Sequence, residues 1–91
     1  MYNIVSISGT SRPDNYTARA LSVVNEELSA LGHASQLIDA RTLALTFPGQ
    51  DLTEDSQRLK AQVESASAVV LATPEYHGSF SAMTKLLIEN L

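Results

Sequence analysis

Cysteine is absent from this chain of 91 residues, and aromatic side chains make up only 5% of it. Without cysteine there is no disulfide framework, no thiolate zinc site and no cysteine nucleophile, which fits the reducing cytoplasm expected as its location. Positive charge is also scarce. Six Lys and Arg, scattered from Arg12 to Lys85 against ten acidic residues, leave a net charge of -4, so no basic stripe invites nucleic acid. Long apolar runs are missing as well. The stretch Ala66 to Ala72, broken by Ser67, falls far short of the ~20 residues a membrane span needs, and the N-terminus lacks a basic start leading into an apolar segment. No membrane partner is expected.

Several motifs are lacking too, and each absence removes a chemistry. There is no G-x-x-x-x-G-K-[ST] loop for a nucleoside triphosphate and no G-x-G-x-x-G dinucleotide fingerprint, because Gly9 is followed by Thr10, Ser11 and Arg12. A response-regulator domain needs acidic residues after its first strand and an Asp at the end of its third; here stand Ser8-Gly9 and Thr73-Pro74. His33 and His77 have no metal-ligand spacing, so no metal site is expected.

What remains is an ordinary globular composition, 44% hydrophobic and 18% charged, long enough for a single small domain over residues 1–91 that buries ~60 to 65% of its unfolded surface. Ile4 to Ser8 is short, β-branched and ends at Gly9, which predicts a buried strand. From Tyr16 onward Leu21, Val24, Leu28 and Leu31 share one helical face, with Gly32 suited to the C-cap. Gln36-Leu37-Ile38 is a second strand candidate. Residues Ala40 to Asp51 hold Leu43, Leu45 and Phe47 around Pro48-Gly49 and predict an ordered loop with partly buried apolar side chains. Thr53 caps a helix with Glu54 and Asp55 in its first turn and Leu59, Val63 and Ala66 on one face. Ala68 to Ala72 forms a third strand, apolar on both sides. Phe80, Met83, Leu87 and Leu91 then recur at helical spacing, with Ser79 or Ser81 as cap.

Apolar strands alternating with helices indicate an α/β fold with a parallel sheet covered on both faces. Every strand of such a sheet ends at one edge. If the strand order is 2-1-3, the loop from Gly9 to Thr17 and the loop from Pro74 to Ser79 meet in the gap where ligands of these sheets bind. The first loop suits a terminal phosphate: Thr10, Ser11, Asn15 and Thr17 can donate, Arg12 can pair charge, Gly9 allows close backbone approach, and a helix N-terminus follows. Turns and caps use the same residue types, so composition leaves both roles open. The second loop offers Tyr76 and His77 to a flat ring, Pro74 to fix φ and the Gly78 N–H to a ligand carbonyl. The ordinary alternative packs Tyr76 in the core and makes His77 a helix cap. Glu75 reads as a solvated residue.

The two loops together resemble the NAD(P)H-dependent FMN reductase family of flavodoxin-like proteins. Gly9-Thr10-Ser11-Arg12-Pro13-Asp14-Asn15-Tyr16-Thr17 is similar to that family's phosphate loop, and Thr73-Pro74-Glu75-Tyr76-His77-Gly78-Ser79 to its second signature, which borders the isoalloxazine. The resemblance implies that Thr10, Ser11, Arg12, Asn15, Tyr16 and Thr17 hold the FMN phosphate, while Pro74, Glu75, Tyr76, His77, Gly78 and Ser79 line the ring. It implies hydride transfer from NAD(P)H as co-substrate through FMN to a small acceptor such as a quinone, a free flavin, an azo compound or a metal oxyanion. No side chain is named as a catalytic acid or base, since the cofactor carries that chemistry. The other readings are a flavodoxin-like electron carrier and an inactive half-domain that only associates.

The same resemblance implies a flavodoxin-like three-layer parallel sheet of which only the β-α-β-α-β-α portion is present, since the family has a fourth and a fifth strand. The chain therefore reads as a piece of such a reductase. Its third strand should be an exposed apolar edge, with Val69, Leu71, Met83 and Leu87 short of cover, and a homo-oligomer is expected.

Overall fold

The computed structural model describes all of residues 1–91. At its centre lies β1 (Asn3–Ser8), buried from Ile4 onward on both faces. It pairs in parallel with β2 (Ala34–Asp39) on one side and β3 (Ala68–Ala72) on the other, giving the order β2-β1-β3. β2 is longer than the Gln36 to Ile38 core of its sequence signal, because pairing runs unbroken from Asn3 opposite Ala34 to Ser8 opposite Asp39. The backbone ladder extends a strand past its apolar centre.

Helix α1 (Tyr16–Ala30) joins β1 to β2. Asn15 caps its start by accepting from the Ala18 N–H, and Gly32, at φ +90°, ends it. There the His33 N–H reaches Leu28 O and the Gly32 N–H reaches Ser29 O, the paired bonds of a Schellman end. Of the four apolar residues assigned to its inner face, Leu21 is buried and Leu28 half-buried, but Val24 and Leu31 are exposed. At about 100° per residue Leu28 lies nearly above Leu21, whereas Val24 sits about 60° aside and Leu31 is already the cap.

A one-turn 3-10 helix (Ala40–Thr42) and a strap lead to α2 (Glu54–Ser65), which Thr53 caps through the Ser56 N–H. The strap lays Leu43 and Leu45 on the core but leaves Phe47 exposed: Phe47 opens the turn over Pro48-Gly49 that the Gln50 N–H closes onto its carbonyl. After β3 comes a hairpin of β4 (Glu75–Tyr76) and β5 (Ser79–Phe80), then α3 (Ala82–Glu89).

Side chains alternate across β1, and this assigns the layers. Val5 and Ile7 form the core with Ala40, Leu59 and Leu87, so α2, α3 and the strap cover that face. Ile4, Ser6 and Ser8 point to the opposite face, where the right-handed crossover puts α1. Cover is full over β1 and thin over β3: the sheet is not buried on both faces at this side, where the third strand forms the exposed apolar edge expected of it. Val69 and Leu71, which share a face with Val5 and Ile7, remain 42% and 38% exposed at the sheet edge. Met83 is half-buried. Leu87, expected to lack cover, is fully buried against Val5, Ile7 and Leu59. No helix is long and apolar enough to cross a membrane.

Candidate functional site

The parallel sheet brings the segment after β1 and the hairpin after β3 to one edge, where they enclose a cavity of about 390 Å³. That volume lies in the range of small-molecule sites. Thr10, Arg12, Asn15, Tyr16 and Thr17 form one wall, Pro74 and Tyr76 the other, and Pro13 and Asp14 complete it. Ser11 is exposed beside this wall but does not line it. Glu75, Gly78 and Ser79 line a shallower depression with Thr73, Pro74 and Phe80 on the far side of the hairpin, and His77 sits exposed at the hairpin tip and lines neither.

Local chemistry explains the first wall. Asn15 is the N-cap, its Oδ1 accepting from the Ala18 N–H at 2.7 Å while Nδ2 donates to Arg12 O at 2.7 Å. The N–H groups of Tyr16 and Thr17 in the first turn have no partner within the chain. Thr10 is almost wholly buried and its hydroxyl accepts from the Arg12 N–H at 3.2 Å, so this side chain shapes the turn. The hydroxyls of Ser11 and Thr17 remain free of partners.

Charge in the cavity is arranged around one available cation. Arg19 pairs with Asp14 at 2.8 Å and lies 5.4 Å from the Tyr16 ring centre. Arg12 has no carboxylate partner; its guanidinium stands 5.0 Å over the Tyr76 ring, linking the two walls. Asp14 adopts φ +48°, a left-handed conformation that Asp tolerates. No group of His, Cys, Asp and Glu is placed to hold a metal ion.

The second wall corrects the ordinary structural roles. Tyr76 is 37% exposed and faces the cavity instead of the core. His77 does not cap α3: it has φ +53° and Gly78 φ +76°, both positive as a two-residue type I′ hairpin turn requires, and Ser81 is the cap. Phe80 belongs to β5 and Leu91 lies past α3, so neither shares the helical face on which Leu87 is buried.

Gly9 is also used differently from its sequence reading. An added Cβ would lie 2.1 Å from Thr84 Oγ1 and 3.0 Å from Ala72 O, so the close approach is to α3 and β3. Ser81 appeared in the sequence only as a candidate cap, and Thr84 not at all. Its one signal is its place three residues before Leu87, on the inward side of the helix.

The sequence profile of NADPH-dependent FMN reductases matches residues 2–91. No curated protein sequence matches significantly. Among solved structures, the apo form of an NADH:FMN oxidoreductase superposes with a TM-score of 0.87 at 22% identity, over 100% of this chain and 50% of that one. The azoreductase AzrA superposes with a TM-score of 0.70 at 15% identity, over 97% of this chain and 54% of that one. The chain thus spans about half the length of these structures and shares their flavodoxin-like fold.

Proposed function

Since the chain belongs to the NADPH-dependent FMN reductase family, we propose that the cavity between β1 and the hairpin is an FMN site serving NAD(P)H-dependent reduction of a small acceptor. The observation that carries this reading is the convergence of unpartnered donors and an aromatic wall in one cavity. The free N–H groups of Tyr16 and Thr17, the Thr17 hydroxyl and the unpaired Arg12 suit a phosphate, and the α1 dipole favours negative charge at the same point. Pro74 and Tyr76 offer the flat surface that a ring needs.

FMN, when bound, supplies the hydride chemistry. The residues of this chain bind and orient it. Arg12, Thr17 and the first turn of α1 would hold the phosphate, with Ser11 able to join them by rotation of its exposed side chain. Asn15 fixes the turn while keeping one amide proton uncommitted. Tyr76 would flank the ring, and Glu75, His77, Gly78 and Ser79 form the hairpin rim, where the free Gly78 backbone suits a ring carbonyl. Acceptors in this reading are quinones, flavins, azo compounds or metal oxyanions; the azoreductase likeness supports the azo class. A cytoplasmic location and association with a second copy belong to the same reading, supported by the lack of cysteine and by the bare Val69 and Leu71.

Titrating FMN into the purified protein while following flavin fluorescence tests the site directly. Quenching that saturates, followed by NADPH oxidation in the presence of a quinone, is the expected result. Quenching without NADPH oxidation would favour an electron carrier, and no quenching would sink the FMN site.

A further inference from the structure

Gly9 O accepts from Ser81 Oγ at 2.6 Å and from Thr84 Oγ1 at 3.0 Å, all within buried surroundings. Ser81 makes further bonds. Its Oγ also accepts from the Thr84 N–H, capping α3, and its own N–H donates to Thr73 Oγ1 at 3.0 Å, at the base of the hairpin. One clasp therefore holds the start of the first cavity wall, the root of the second wall and the N-terminus of α3.

Resting on the FMN reading, we propose that Thr84, together with Ser81, is a positioning residue for phosphate recognition. A trans peptide directs its N–H opposite to its carbonyl. With Gly9 O held by the two hydroxyls, the Thr10 N–H of that peptide leaves on the side away from α3. This N–H has no partner within the chain, and Thr10 lines the cavity. The fixed peptide thus adds a third backbone donor to those of Tyr16 and Thr17. The influence runs one residue further, because Thr10 Oγ1 receives the Arg12 N–H and so sets the backbone from which the guanidinium reaches out. Neither Thr84 nor Ser81 lines the cavity. Their effect passes through Gly9 and Thr10.

The test compares FMN with riboflavin, which lacks the phosphate, by fluorescence quenching in the wild-type protein, Thr84→Ala and Thr84→Ser, alongside thermal melting. Losing one neutral hydrogen bond's worth of orientation should weaken FMN about fivefold in Thr84→Ala. Riboflavin affinity should stay unchanged, and Thr84→Ser, which keeps the hydroxyl, should restore FMN binding. If Thr84→Ala fails to fold, Thr84→Val, close in volume but without the hydroxyl, takes its place and should show the same selective loss, FMN about fivefold weaker with riboflavin unchanged. Equal losses for both flavins, no loss, or failure of Thr84→Ser to restore binding would overturn the positioning role and leave the FMN site standing. A wild-type protein that quenches neither flavin would overturn both.

Discussion

Gly9 and Thr84 are packed so closely that the glycine position has no room for a methyl group: a Cβ would come within 2.1 Å of the threonine hydroxyl. Gly9→Ala should therefore cost about 1 to 3 kcal/mol, the range for overpacking a tight interior. The strain is shared between neighbours, so the same substitution made in a Thr84→Ala background should cost less. A double-mutant cycle by denaturant unfolding measures the coupling; strictly additive costs would show that the contact is not where the strain arises.

Arg12 is the second test. Its guanidinium would pair the phosphate in the proposed complex and stands 5.0 Å over Tyr76 without it. A hydrogen bond to a charged group contributes about 1.5 to 3 kcal/mol, an exposed cation–π contact about 0.5 to 1. Arg12→Ala should then weaken FMN by the larger amount and riboflavin by no more than the smaller. Comparable losses for both flavins would move Arg12 from the phosphate to the ring wall.

Much of this layout is legible in the sequence, for reasons that are local. The Leu21 to Leu28 spacing, the Gly32 stop, Thr53 ahead of Glu54 and Asp55, and the β-branched run of β1 each act within a few residues. Given the order β2-β1-β3, which the sequence supplies only as a condition, the meeting of the two loops then follows from the rules of parallel sheets. What escapes is non-local or conformationally small. No spacing announces that Gly9 will meet residues 72 and 75 positions away. A hairpin with two residues in each strand has no periodicity to read, and positive φ at His77 is a consequence of that hairpin. The same limit explains Leu87: its cover comes from β1 and α2, which helical spacing alone does not reveal.

Asp55 carries a pH dependence. Its carboxylate accepts from the Ala44 N–H at 2.7 Å and pairs with Arg58; the backbone bond is the largest influence on its pKa, desolvation opposes it, and Arg58 adds to the lowering, so the pKa lies below the ordinary 3.8. A carboxyl with a lowered folded pKa stabilises the fold fully above its unfolded value, and that contribution is lost as pH falls through the folded one. The stability difference between wild type and Asp55→Asn should therefore be flat from pH 7 to about 5 and shrink below 3.8. A gap that widens on acidification would contradict the assignment.

Ser6 and Ser8 make the opposite kind of prediction. Both hydroxyls are buried on the α1 face of β1 without a hydrogen-bond partner. Removing a polar atom that already lacks a partner spares its desolvation cost, so Ser6→Ala should be neutral or stabilising by up to about 1 kcal/mol. A clear loss of stability in thermal melting would reveal a partner for that hydroxyl.

Asn90 lies at the other extreme, buried and used at every polar site. Its Nδ2 donates to Thr46 O and Leu86 O, both at 2.8 Å, and its Oδ1 accepts from Ser56 Oγ at 2.8 Å and from the Thr46 N–H at 3.3 Å. One side chain thus ties the C-cap of α3 to α2 and to the strap that carries Leu43 and Leu45 over the core. Replacing it strands several groups together. Ser56 is fully buried, so its hydroxyl would lose its acceptor where water does not reach, at about 1 to 3 kcal/mol, and the strap would lose both bonds at Thr46. Asn90→Leu should accordingly destabilise the fold by at least 2 kcal/mol, approximately, although it adds apolar volume. Adding Ser56→Ala to that variant removes the stranded hydroxyl and should recover part of the loss, whereas Ser56→Ala alone is destabilising. Urea unfolding of the two single variants and the double variant decides it, and a double variant no more stable than Asn90→Leu would show that the Ser56 bond is not the link that matters.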